Sequence, residues 1–162
     1  MRISNNGRRS LAAAVCAAAL LWVSSVAAAE YVDAASHLSS EAEIKAWYGL
    51  QHGLRENFDE ICGDTFCEGD YSNIQSLRFR CSVDRFSGVL GQCLWLFAAS
   101  NESVDPATGK VAARFQHWRC RSPLAPGTNV QALLGALAGE RPLYAVLPGT
   151  GRSLYDGLVD CL

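Results

Sequence analysis

Six cysteines, at positions 62, 67, 81, 93, 120 and 161, follow a seventh at Cys16 in a chain of 162 residues, and they limit the admissible folds more than any other feature. Paired as disulfides, they require widely separated segments, including the residue next to the chain end, to come within about 7 Å of one another at Cα. Whether they pair depends on the compartment in which the chain matures.

The first thirty residues address that question. Arg2, Arg8 and Arg9 precede an apolar run from Leu11 to Val23, and Ala27-Ala28-Ala29 closes the segment. A basic start, an apolar stretch too short to span a bilayer and an A-x-A end are the parts of a cleaved secretory signal peptide, expected over 1–29. Ala14-Val15 before Cys16 does not make a lipobox, and Arg8-Arg9-Ser10-Leu11 is only a partial twin-arginine signal. The general secretory route, with oxidation after export, is the expectation. The alanine-rich signal suggests a bacterial chain that is periplasmic or secreted.

Residues 30–162 then form a single disulfide-stabilised globular domain, carrying eleven basic and sixteen acidic side chains. Such a length buries a core of its own, so the disulfides reinforce packing. Net acidity argues against nucleic acid as a partner, since phosphate binding calls for a basic footprint. No second apolar run suits a membrane helix, and no internal repeat is visible.

Ser40-Glu41-Ala42-Glu43 has the pattern of a capping box, which places a helix start. Ile44, Trp47, Leu50, Leu54, Phe58 and Ile61 follow at steps of three and four, an apolar stripe that must face a core. The helix is expected to end near Cys62-Gly63, with the glycine in a left-handed cap. Three strands follow, Ile74 to Val83, Val89 to Ala99 and Lys110 to Arg121, separated by Asp84-Arg85-Phe86-Ser87-Gly88 and Asp105-Pro106-Ala107-Thr108-Gly109. Asn129 to Ala138 reads as a short helix, Leu143 to Leu147 as an edge strand, and Ser153 to Leu162 as a closing helical turn. The fold class is therefore α+β: a long N-terminal helix on an antiparallel sheet of three to four strands, in α-β-β-β-α order.

A first turn centred on Ser87 sets Cys81 opposite Cys93, and a second centred between Ala107 and Thr108 sets Trp95 opposite Cys120 and Phe97 opposite Trp118. Alternation then puts Leu77, Phe79, Cys81, Cys93, Trp95, Phe97, Trp118 and Cys120 on the core face. The other face collects Arg78, Leu96 and Arg119 in one row and Arg80, Leu94 and Arg121 in the next, with His117 beside Ala98. Arginines around an apolar centre resemble the make-up of interfaces. A solvated face whose arginine stems lie over the leucines is the competing account. Of fifteen possible cysteine pairings the expected one is Cys81 with Cys93 from the register, Cys62 with Cys67 across a short loop, and Cys120 with Cys161.

Chemistry is sparse. No C-x-x-C pair suggests zinc or redox work, no cysteine is left over as a nucleophile, and no cofactor or metal is expected. His52 with Glu56 is an i, i+4 pair of the kind that positions a general base and that surface helices also carry routinely. Glu56, Asp59, Glu60, Asp64, Glu68 and Asp70 form an acidic stretch that lacks calcium-loop spacing. Leu147 to Ser153 lacks the ending of a phosphate loop and reads as a glycine turn into a helix capped by Ser153.

The leading expectation is an exported binding module that recognises a protein or envelope polymer, in the manner of an inhibitor or immunity protein acting on an exported enzyme or toxin. Its contact residues would be Arg78, Arg80, Leu94, Leu96, His117, Arg119 and Arg121. The alternatives are a small envelope-polymer hydrolase using His52 and Glu56 or the acidic stretch, and a structural or calcium-responsive envelope protein. Oligomeric state is left open.

Overall fold

The computed structural model describes residues 29–162, so the expected signal peptide, Ala29 apart, lies outside the described residues. The chain is α+β, a long helix packed on a four-stranded antiparallel sheet in the order β1-β2-β3-β4. The strands are β1 Tyr31–Asp33, β2 Gln75–Asp84, β3 Leu90–Val104 and β4 Val111–Arg121; the helices are α1 Ala34–His37, α2 Glu41–Ile61, α3 Val130–Ala136 and α4 Leu154–Val159. The short β1 and α1 come before the long helix, so the order opens with a strand that periodicity does not announce.

Helix α2 begins as its sequence dictates. The Ser40 hydroxyl accepts from the Glu43 amide at 3.2 Å, and the Glu43 carboxylate accepts from the Ser40 hydroxyl at 2.7 Å and from its amide at 3.4 Å. That carboxylate also accepts from Gln131 of α3 at 3.0 Å. The Gln131 bond first, and the Ser40 bonds after it, hold the Glu43 carboxyl below its ordinary pKa. Trp47, Leu50, Leu54 and Phe58 are buried, whereas Ile44, at the same stripe's start, remains exposed. Asn57 is buried on α2 as well; it donates to the Glu140 carbonyl at 3.3 Å and accepts from the Leu143 amide at 3.4 Å.

Gly63 is not a left-handed cap. The chain winds on through a π-helical turn, Cys62–Phe66, whose closing hydrogen bond runs from the Cys67 amide to the Cys62 carbonyl. The disulfide between those two cysteines closes the same small loop, so the turn needs no glycine in the left-handed region.

Both hairpins use one turn chemistry. Asp84 and Asp105 each accept from the two or three groups that follow, and Gly88 (φ 71°) and Gly109 (φ 69°) occupy the left-handed position that a side chain disfavours. In β3–β4 the resulting register is unbroken over eleven pairs and sets Trp95 opposite Cys120 and Phe97 opposite Trp118, as the turn predicts. In β2–β3 it takes a detour. Gly91 is an extra residue between Leu90, which faces Val83, and Gln92, which faces Ser82. That bulge brings Cys81 opposite Cys93, Cα atoms 4.0 Å apart, and allows the Tyr31 ring of β1 to lie where a Cβ on Gly91 would stand.

A second irregularity corrects the core assignment. Ser76 faces Phe97 and Arg78 faces Leu96, which leaves Leu77 as a bulge, 52% exposed instead of core-facing. Ser76 takes the inward position, where its hydroxyl accepts from the Trp95 indole at 2.9 Å. A buried indole N–H needs a partner, and the bulge supplies one.

One face of the sheet carries the core. Phe58 packs on Phe97 and Trp95 with centroids at 4.7 and 5.9 Å, and Trp47 on Phe79 at 5.9 Å. Beside α2 the C-terminal segments add buried Val130, Leu133, Leu143, Leu147, Leu154 and Leu158. The expected edge strand Leu143 to Leu147 is instead a single 3-10 turn, Pro142–Tyr144, followed by a lone bridge from Val146 to Ser153. Leu143 and Leu147 are buried all the same, and Pro142, itself buried, ends any strand alternation there. Ser153 caps α4 with Asp156 completing a capping box. Cys62–Cys67, Cys81–Cys93 and Cys120–Cys161 all pair, with Cα separations of 4.9, 4.0 and 5.5 Å. Among the described residues no helix is long and apolar enough to cross a membrane.

Candidate binding face

With the helices on one side, the other face of the sheet is covered by no element among the described residues. The register places Arg80, Leu94 and Arg121 in one row, Arg78, Leu96 and Arg119 in the next, and Gln75, Ala98 and His117 in a third. All seven expected contact residues therefore share this face. The arginines and His117 are exposed, while Leu94 and Leu96 are half-buried beneath their surroundings.

The four arginines are not equivalent. Arg80 donates through Nε and Nη2 to one oxygen of Asp33, at 2.7 and 2.6 Å, and the other oxygen of Asp33 caps α1 by accepting from the Ala35 amide at 2.9 Å. Arg80 is thus partly occupied in holding β1 to the sheet. Among the described residues no carboxylate lies within ion-pair distance of Arg78, Arg119 or Arg121. Uncompensated arginines in a domain of net negative charge make the face a local positive field.

Two shallow depressions flank it. One, about 320 Å³, lies between Tyr31 and Asp33 of β1 and Arg80, Ser82, Gln92 and Leu94. The other, about 570 Å³, lies beyond β4, between Arg119, Arg121 and Pro123 on one side and Arg152, Gly157 and Asp160 on the other. Arg152 is tied there by an ion pair to Asp160 and by a hydrogen bond to the Asp156 carbonyl at 3.1 Å.

The face also extends beyond these seven residues, along the second hairpin. Strand β3 continues to Val104, so β3 and β4 run out beyond β2 as a two-stranded arm. The same alternation brings Phe115, 80% exposed, and Val111, 69% exposed, into line with His117, and Val104 opposite Val111. Continuing the second hairpin's register outward from His117 is the signal that finds them.

His52 and Glu56 pair at 3.1 Å with side chains 71% and 60% exposed, and neither lines any of five surface depressions. Both side chains therefore stand open to bulk water. The acidic stretch lies along the end of α2 and the turns after it, on the helical side of the sheet. Among the described residues no three His, Cys, Asp or Glu side chains converge to hold a metal ion.

The chain matches no protein-family model, and neither curated proteins nor solved structures show a significant match to it.

Proposed function

We propose that the chain is an exported binding module whose open sheet face recognises another macromolecule, an exported enzyme or toxin that it inhibits or neutralises. The observation that carries this reading is the pairing of half-buried Leu94 and Leu96 with Arg78, Arg119 and Arg121, which have no ion-pair partner among the described residues, on a face that no described element covers. Arginine and apolar side chains at the centre of a patch are what protein interfaces concentrate. Three disulfides favour a compartment that keeps thiols oxidised, in the periplasm or outside the cell. Rigid β-strands hold the contact groups in place, so little ordering entropy is lost on binding.

The test uses Arg78→Glu combined with Leu96→Gln, which alters the middle of the face and leaves the Asp33–Arg80 pair intact. The wild-type chain, immobilised, is expected to retain a specific protein from the producing organism's envelope and medium, and to suppress that protein's activity when added to it. The double variant is expected to melt within a few degrees of the wild type and to retain nothing. Capture that survives the double substitution makes this face bystander surface and ends the proposal.

A further inference from the structure

The C-terminal end of β4 does not stand free, because α4 is seated against it. The Cys120–Cys161 disulfide ties the two segments with Cα atoms 5.5 Å apart. A Cβ on Gly157 would stand 3.1 Å from the Arg121 carbonyl and 3.1 Å from Pro123 Cδ, so glycine at 157 is what lets the helix come so close. Both walls of the depression of about 570 Å³ beyond β4 are fixed in this way, with Arg119 and Arg121 on the strand side and Arg152 and Asp160 on the helix side.

Three guanidinium groups from two separate segments thus line one depression, and a single carboxylate, Asp160, lines it with them. Asp160 pairs with Arg152, which also donates to the Asp156 carbonyl at 3.1 Å, so this arginine is held in place. The Asp156 carboxylate is taken up by the Ser153 amide and hydroxyl at 2.6 and 2.9 Å. Arg119 and Arg121 have no ion-pair partner among the described residues. Three positive charges against one negative leave two positive charges unmatched in the lining, within a chain whose net charge is negative. The backbone adds donors. The Ser122 amide donates to the Cys93 carbonyl at 3.0 Å, and bonded pairs alternate along antiparallel strands, so Arg119 and Arg121 turn their amides away from β3 to the side where α4 stands.

We infer that this depression binds the phosphate of a phosphate monoester. Planar arginine forks pair with phosphate oxygens two bonds at a time, and a monoester presents three terminal oxygens to the three forks. Its charge of about −2 at pH 7 matches the two unmatched positive charges of the lining. A carboxylate carries one charge and two oxygens, and a phosphodiester, as in nucleic acid, also carries one charge. The volume lies within the range of about 300 to 1,000 Å³ found for small-molecule sites, which leaves room for the organic part of the ester. A soluble sugar phosphate and a lipid headgroup both present this chemistry. Arg119 and Arg121 belong to the recognition face as well, but Arg152 does not, so Arg152 reports on the phosphate site alone.

The experiment titrates glucose 1-phosphate into the nitrogen-15-labelled chain, as its own cell exports it, at low ionic strength and follows the arginine Nε–H resonances. Arg119, Arg121 and Arg152 are expected to shift together along one saturable curve with a Kd of about 1 mM. Acetate is expected to bind at least about tenfold more weakly, having fewer oxygens and half the charge. Raising sodium chloride to about 1 M, where charges are screened beyond about 3 Å, is expected to abolish saturation. Arg121→Gln and Arg152→Gln are each expected to raise the Kd at least about fivefold by removing charge-assisted bonds. Lys45→Gln removes the same charge from an exposed position on α2, on the helical side of the sheet, and is expected to change the Kd less than about twofold.

A second arm uses vesicles of phosphatidylcholine containing phosphatidic acid. Co-sedimentation that Arg152→Gln abolishes assigns the phosphate to a lipid headgroup, and saturable glucose 1-phosphate binding without co-sedimentation assigns it to a soluble ester. Failure of both arms overturns the inference, as does acetate binding as tightly as glucose 1-phosphate, or an Arg152→Gln variant no weaker than Lys45→Gln. Arg152→Gln keeps all seven residues of the recognition face, so protein capture by that variant is expected to be unchanged, and the two readings stand or fall separately.

Discussion

Removing Cys120–Cys161 by alanine substitution at both positions should destabilise the chain more than removing either other disulfide. The three cross-links close consecutive, non-overlapping loops with sequence separations of 5, 12 and 41, so their effects on the unfolded chain are independent. Loop-closure entropy scales with the logarithm of loop length, which puts the contributions at about 2, 3 and 4 kcal/mol for Cys62–Cys67, Cys81–Cys93 and Cys120–Cys161. The native state has little reason to relax when the last bond is cut, because Leu154 and Leu158 of α4 are buried in the core regardless. The cost therefore arises in the unfolded ensemble, where about 40 residues regain their freedom. Urea unfolding followed by tryptophan fluorescence reads it directly. With a slope of about 2 kcal/mol/M, a loss of about 4 kcal/mol moves the midpoint down by about 2 M. A domain of ordinary stability survives that loss, and native circular dichroism should persist without denaturant. An equal or larger loss from Cys62→Ala with Cys67→Ala would refute the reasoning, as would a loss under about 1 kcal/mol for the C-terminal pair.

Two further outcomes are expected. Leu77→Ala should change stability by no more than about 0.5 kcal/mol, whereas Phe79→Ala, two residues on and buried against Trp47 and Trp95, should cost about 3 to 5 kcal/mol; equal effects in urea melts would contradict the bulge. Stability should also fall in acid. Asp84, Asp105 and Asp156 have their carboxyls held below the ordinary 3.8 by bonds from the Ser87, Ala107 and Ser153 backbone amides first, and by side-chain hydroxyls after them. The unfolded chain takes up these protons more readily, so the contribution is complete above pH 3.8 and is lost as the pH drops through the lowered native values. Thermal midpoints measured between about pH 5.5 and pH 2.5 should decline, with a shallower decline for Asp156→Asn; a flat or rising profile contradicts the assignment.

Much of the fold was legible because its signals are local. The capping box at Ser40, the apolar stripe through Trp47, Leu50, Leu54 and Phe58, and the Asp-to-Gly turns each depend on residues a few positions apart. The seven candidate contact residues could be gathered on one face for the same reason, since a hairpin turn of known length sets which residues meet. The extent of the face was less legible. Ser100 to Val104 has no apolar alternation because the arm is solvated on both sides, so nothing in its pattern distinguishes strand from loop.

The amino-acid sequence by itself determined the start and buried stripe of the long helix, the order of the hairpins, the register of the second, and the existence of an arginine-bearing face. These rest on capping, turn chemistry and alternation, which act within a few residues. Only the tertiary structure decided that Leu77 is a bulge and Ser76 the inward residue, because the indole of Trp95, nineteen positions away, needed a hydrogen-bond acceptor. It alone also set Asp33 against Arg80, forty-seven residues apart, leaving the other three arginines of the face without an ion-pair partner among the described residues. And it alone set α4 against the C-terminal end of β4, with Gly157 close on the Arg121 carbonyl, since what covers a strand's edge depends on what the rest of the chain packs against it.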